Sequence, residues 1–447
     1  MSADGSDKAA GPGAPGSLRR RIAAAVPPPG PIRVLQTNTL IGSTGYGLYT
    51  SGSALFFVKV AGLSAVQVGL GFSVAGVVGL LLSVRVGRLA DRWGPREVFL
   101  GFSALLVGLL VVAVSVRSFV AFLFVVIAIG CAETGINVAR GALTGALLPK
   151  ETRVRLSAVT RVLTNIGFSL GVLMAGVAIG VGTRAAYSSL ILGMAVTATL
   201  AGLSSLRLPR IGPAAGTRAE RRERFRYDVP YLAVSFVSSM TSIGNTVLTV
   251  GLPLWIVSQT SVPRPLAAWM ILGNTALVIL LQVKVAKGSE TTAGARRMQR
   301  GAFLALAAAC AAVAPTHELG TPVAVALLLV GVALLTLGEL WGESAVWAFR
   351  YGLADPNAQG AYSGMFVFSS SIPIAAAPVL VTFLTGRFTL AGWLVLALVF
   401  LAGLAVNGPV IAWAERTRKP EPAVEPGSRS APGDGALISS AEEGQNR

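Results

Sequence analysis

Gly87-Arg88-Leu89-Ala90-Asp91-Arg92-Trp93-Gly94-Pro95-Arg96 separates two long apolar runs, about 65–85 and 97–116. Its charged residues have no place in hydrocarbon, whereas the runs on either side have no place in water. The segment therefore reads as a short loop at a membrane surface. Gly87 and Gly94 permit close packing and a sharp turn. Asp91 is an acid among bases and is expected to make a charge-assisted hydrogen bond, with Arg140 as one candidate partner.

Working outward, the apolar pattern repeats. A helix needs roughly 20 apolar residues to cross a bilayer. Twelve such spans are predicted, at about 34–59, 65–85, 97–116, 118–145, 157–182, 185–206, 229–258, 265–286, 299–315, 321–349, 360–385 and 389–414. The runs lack the two-residue alternation of a membrane barrel, so helices are the remaining way to satisfy the backbone in lipid. Composition agrees. Of 447 residues 53% are hydrophobic and 13% charged, about half the charge of a soluble globular protein. Cys131 and Cys310 both lie in apolar runs, which argues against a disulfide or metal framework. A single histidine, His317, leaves His-based metal sites and Ser–His triads without support. No cofactor and no enzymatic activity are expected.

Charge placement tests the count. With the N-terminus inside, the outer loops hold Lys59, Arg117, Arg184, Arg264 and Arg387, and the other 32 of 37 Lys and Arg fall in tails, inner loops or inner helix ends. That is the bias expected of cytoplasmic loops. The net charge of +17 then reflects topology and a basic surface beside anionic lipid, not nucleic acid. Arg19, Arg20 and Arg21 are followed by Pro27, Pro28 and Pro29 rather than by an apolar segment, so no cleavable signal is expected. The reading is a multi-pass protein of the cell membrane with both termini cytoplasmic, expected to be a monomer. It has disordered tails at 1–33 and 417–447, six-helix bundles at 34–206 and 229–416, and a basic linker at 207–228.

The bundles look like repeats. Asn38-Thr39-Leu40 recurs as Asn245-Thr246-Val247, Val84-Arg85-Val86-Gly87-Arg88 as Val283-Lys284-Val285-Ala286-Lys287, and Ala132-Glu133 as Gly338-Glu339. Asp91 aligns with Glu290 in the second half.

Three carboxylates interrupt the hydrocarbon runs: Glu133 in span four, and Glu339 and Glu343 in span ten. A charge at mid-membrane costs roughly 2.5–3.5 kcal/mol and is functional by default. Glu339 and Glu343 are one turn apart on one face. Two such carboxylates do not both ionise easily in a low dielectric, which makes the pair a proton acceptor. The competing reading is structural pairing with Arg140 or Arg161.

The loop at 87–96 resembles the signature of the major facilitator superfamily: Gly, any, Leu, small, Asp, Arg/Lys, any, Gly, then two basic residues, with Pro95 in place of the first base. The likeness extends over about 34–414. It implies an all-α fold of two six-helix bundles that alternate access to a central site. It also implies a latch, formed by Gly87, Asp91, Arg92, Gly94, Arg96 and Arg140, that closes the inner side in the outward-facing state. A permanent helix cap that only sets topology is the alternative. In that fold spans one, four, seven and ten line the cavity, which gathers Glu133, Glu339, Glu343, Asn38 and Asn245, with Tyr46 and Trp341 as flat walls or as packing. Gly167-Phe168-Ser169-Leu170-Gly171-Val172-Leu173-Met174-Ala175-Gly176 is similar to the span-five segment of proton antiporters, with Val172 where those have Pro. The same stretch reads equally as a small-residue packing face.

No Gly-x4-Gly-Lys-Ser/Thr loop occurs, so a proton gradient rather than ATP is the expected drive. The leading reading is proton-coupled efflux of a hydrophobic or cationic small molecule, a drug or natural product, by antiport, with antibiotic resistance as a consequence. Uptake of a small polar metabolite and a non-transporting membrane scaffold or sensor on the same fold remain as alternatives.

Overall fold

The computed structural model describes residues 30–148, 153–212, 227–289 and 291–417. Residues 1–29 and 418–447 of the expected tails, most of the 207–228 linker and Glu290 lie outside the described residues; residues 31–33, expected in the first tail, are helical. The first half comprises α1 (Pro31–Lys59), α2 (Ala65–Trp93), α3 (Pro95–Ala113), α4 (Phe119–Leu147), α5 (Arg153–Val181) and α6 (Arg184–Ser205). The second comprises α7 (Val229–Gln259), α8 (Pro265–Ala286), α9 (Thr292–Val313), α10 (Thr321–Gly352), α11 (Gln359–Arg387) and α12 (Thr389–Arg416). No strand occurs among the described residues. Eleven helices are long and apolar enough to cross a bilayer. The exception is α1, which has the length, 29 residues, but carries Gln36, Asn38, Thr39, Ser43, Thr44 and Tyr46 on what the packing makes an interior helix.

Local chemistry sets the boundaries. The side chains of Ser64, Ser118, Thr183, Asp228 and Thr291 cap helix N-termini by accepting a backbone N–H three residues on. Ser64 and Gln67 form a reciprocal capping box at the start of α2. Gly94 ends α2 at φ 95° and Pro95 opens α3; a side chain at Gly94 would be strained in that conformation and would lie 2.8 Å from the Ile211 carbonyl oxygen. Helix α7 is irregular. It passes through a 3₁₀ turn at Met240–Ser242 and a π turn at Val247–Gly251 before Pro253, local departures from the regular i→i−4 ladder.

Packing shows the duplication. In the first half α1 lies against α5 and α6, α2 against α4, and α3 against α4 and α6. Each pairing recurs six helices later: α7 with α11 and α12, α8 with α10, and α9 with α10 and α12. Each half has its own apolar cluster. One centres on Phe56, Phe57 and Phe122, with the Phe57 and Phe122 rings 4.6 Å apart. The other centres on Trp255, Trp393, Phe303 and Phe400, where the Trp255 indole N–H donates to Thr316 Oγ1 at 2.9 Å. The outer surface is the reverse of a soluble protein's: Phe124, Val177, Leu280 and Val379 are exposed, as lipid contact requires. Between halves α2 meets α11 and α5 meets α8, a pair of contacts that exchange when the halves are interchanged.

The glycine-rich stretch of α5 is used for packing. Gly167 and Gly171 lie against the backbone of α1, where a Cβ on Gly171 would fall on the Thr44 carbonyl oxygen, and Gly47 of α1 lies against the Phe168 carbonyl in return. Gly176, farther along, faces open space. Gly47→Leu is therefore expected to lower the melting temperature of the purified protein by several degrees, and Gly176→Leu to leave it within a degree; equal effects in a thermal-shift measurement would contradict this packing.

Candidate functional site

Three polar arrangements interrupt the apolar framework. The first lies at the basic end, where the segment 87–96, read as a loop from its charges but helical except at Gly94, meets the second half. Asp91, in the last turn of α2, accepts the backbone N–H of Gly360 and of Ala361, both at 2.6 Å. These are first-turn amides of α11, which lack acceptors within their own helix and carry the positive end of its dipole. Hydrogen bonds to a charged group are worth roughly 1.5–3 kcal/mol each. The approach needs glycine on both sides: a Cβ on Gly87 would fall on the Gly360 carbonyl oxygen, and one on Gly364 would lie 2.9 Å from Val84 Cα. Ser363 adds a further link across the halves, donating to the Val138 carbonyl of α4 at 2.9 Å.

The partner expected for Asp91 is thereby corrected. It is backbone from residue positions far along the chain, not Arg140. Arg96 acts within its own half, donating from Nη2 to the Leu206 carbonyl at 2.7 Å and so capping the end of α6. Arg92 is exposed.

The second arrangement joins α5 to α10. Arg161 donates from Nη2 to Glu339 Oε1 and from Nη1 to Glu343 Oε1, each at 3.2 Å. The three side chains are 26%, 10% and 20% exposed. Asn274 of α8 donates to Glu339 Oε2 at 3.2 Å, and its own carbonyl accepts from Thr336 at 2.7 Å. The two glutamates thus share one guanidinium instead of facing each other alone. With both ionised the group carries one surplus negative charge, and it draws its members from both halves. Removing one member of a buried ion pair costs about 3–5 kcal/mol.

The third is a cavity of about 290 Å³ inside the first half. Its walls come from α1, α3, α4, α5 and α6, and include Ser43, Tyr46, Phe99, Glu133, Arg140 and Thr197. Tyr46 is 47% exposed and its ring lies 6.1 Å from that of Phe168. Glu133 and Tyr46 therefore share one space, built within the first half instead of between spans one, four, seven and ten, and Glu339 and Glu343 do not line it.

The remaining expected members are scattered. Asn38 is buried and bound to α6, donating to Ser205 Oγ at 2.5 Å and accepting from Ser204. Asn245 is exposed on α7, its carbonyl accepting from Thr249. Trp341 faces away from the glutamates, against α9, where a Cβ on Gly301 would come within 3.0 Å of its ring. Sequence reasoning did not single out Asn274, Thr336 or Ser363. An Asn in an apolar span was the one available signal for Asn274; Ser363 and the Gly360 amide carry none, because what matters is which helix faces them.

Residues 38–378 match the family profile described as the Major Facilitator Superfamily, and the chain belongs to that superfamily. It is a multi-pass membrane transporter of the two-bundle fold. No curated protein matches the chain. Among solved structures, it is similar to a bacterial homologue of the iron transporter ferroportin in an outward-facing state, at TM-score 0.65 and 13% identity over 87% of this chain and 100% of that one. It is similar to the E. coli fucose:proton symporter FucP at TM-score 0.60 and 14% identity, over 85% and 98%. The human organic anion transporter MFSD10 gives TM-score 0.59 and 16% identity, over 84% and 98%. At these identities the likeness is one of fold.

Ala361 is 3% exposed beneath the Asp91 contact. In a Cys131→Ala, Cys310→Ala background, Ala361→Cys is expected to react slowly with a polar thiol reagent, and Asp91→Ala to speed that reaction severalfold. An unchanged rate would mean that the contact does not hold this end shut.

Proposed function

We propose that the chain is a proton-coupled exporter of a hydrophobic or cationic small molecule, such as a drug or natural product, that works by alternating access. The observation that carries this reading is the Arg161–Glu339–Glu343 group. One guanidinium balances one of two carboxylates. In a low dielectric the surplus charge is costly, and one proton on either glutamate removes it. Because the group spans α5 and α10, taking up that proton also weakens a contact between the halves. Proton loading and movement of the bundles 34–206 and 229–416, joined by the linker 207–228, are then a single event.

The cargo side of the reading rests on Glu133. A carboxylate in a cavity with Phe99, Leu106 and Met194 suits an apolar molecule with a positive group. With the basic end cytoplasmic, as the lysine and arginine bias favours, the Asp91 contact closes the cytoplasmic side, both termini are inside, and the protein acts as a monomer in the cell membrane. Antiport follows: protons enter as cargo leaves. The fold shared with a fucose:proton symporter supports a second reading, uptake by symport through the same proton group.

In proteoliposomes with an imposed pH gradient, the wild type is expected to move ethidium against its concentration. Glu339→Gln should cut that flux at least tenfold while leaving the amount of reconstituted protein unchanged. Full gradient-driven flux in Glu339→Gln removes the triad from the mechanism. Co-directional movement of protons and a sugar replaces export with uptake, and no flux of any solute leaves a scaffold.

A further inference from the structure

Two opposite charges share the cavity of the first half without meeting. Glu133 and Arg140 are seven residues apart on α4, which places them on one face of the helix with Cα atoms about 10.5 Å apart along its axis. Both line the same cavity. Glu133 Oε1 and Arg140 Nε are sealed from solvent, and neither has a hydrogen-bond partner. No ion pair joins the two side chains among the described residues. The guanidinium lies over the Phe99 ring at 5.9 Å, a contact that holds it in place without neutralising it.

Burying an ion costs several kcal/mol unless a partner repays it. Two groups of opposite charge in one cavity, with Glu133 Oε1 and Arg140 Nε both left without a partner, are a costly arrangement whenever they are ionised. A single ligand that carries both charges relieves both. Leu106, Ile136 and Met194 supply an apolar wall between them. Tyr46 lines the cavity and is exposed, so the space reaches the protein surface. Its volume, about 290 Å³, is at the lower end of the range for small-ligand sites, roughly 300–1,000 Å³.

We propose that this cavity binds an amphipathic zwitterion of low mass, with its amine on Glu133, its carboxylate on Arg140 and its apolar body against Phe99, Leu106 and Met194. The proposal rests on the transporter reading above and narrows its preferred cargo: the positive group remains at Glu133, and a negative group some distance from it strengthens binding over that of a simple cation.

The test is calorimetric titration of the purified full chain in lipid nanodiscs. The probe is the dipeptide Gly-Phe, whose amine and carboxylate are separated. The controls are phenethylamine, which has the cation alone, and 3-phenylpropionate, which has the anion alone. Gly-Phe is expected to bind at least tenfold tighter than either control. Glu133→Gln should erase its advantage over phenylpropionate, and Arg140→Gln its advantage over phenethylamine. If either variant fails to fold, the wild-type ranking of the three probes decides the matter. Phenethylamine binding as tightly as Gly-Phe overturns the zwitterion site while leaving a cation exporter intact, as does saturable binding of none of the three. A clear preference for Gly-Phe without proton-driven flux in the vesicle assay keeps the site and overturns the export reading.

Discussion

Hydrocarbon gives nothing back to a polar group, so a charge carried into it is costly unless another part of the same protein, or a ligand, meets it. That constraint organises this molecule at each level. It makes the backbone helical, it places apolar side chains such as Phe124 and Leu280 outward, and it draws Asp91 and Arg161 into arrangements that join helices far apart in the chain. Asp91 is satisfied by two amides of α11, and Arg161 by two carboxylates of α10.

Both of these contacts run between the halves, and they differ in kind. The Asp91 contact is made to backbone, at a crossing where glycines let two helices touch, so it depends on the closeness of α2 and α11 and fails as soon as they separate. The Arg161 contact is made between long side chains, supported by Asn274, and it depends on charge state. One end of the interface is therefore held by geometry, and the level deeper in the bundle by ionisation. The two contacts are made by α10 and α11, which follow one another in the same half.

The sequence made much of the framework legible. The twelve apolar spans are local patterns of hydropathy and charge, and they match the twelve helices, eleven of them long and apolar enough to cross a bilayer; the segment 87–96, read as a loop, is instead helical except at Gly94. The polar residues were found as residues but not as partners. Asp91 was given Arg140 as one candidate partner and meets α11 instead. Asn38 and Trp341 were assigned to a cavity, and they bind α6 and lean on α9. Glu133 was grouped with Glu339 because the family resemblance places spans four and ten on one cavity; Glu133 lines a cavity within its half, and Glu339 belongs to an ion group between halves.

The division has a physical cause. Insertion into lipid is decided segment by segment, by the free energy of transferring roughly 20 residues, so composition along the chain is enough to set how many helices cross and where charged loops fall. Which face of each helix points inward depends on rotation about its axis and on the neighbours it meets, and each residue added turns that face by about a quarter of a circle. Contacts such as Asp91 with Gly360, 269 residues apart, or Arg161 with Glu339, 178 apart, exist only once those rotations are fixed together. The sequence by itself determined a membrane protein of two repeated bundles with acids inside it; the tertiary structure alone decided which of those acids is paired across the halves and which is left facing an unpaired guanidinium in a cavity.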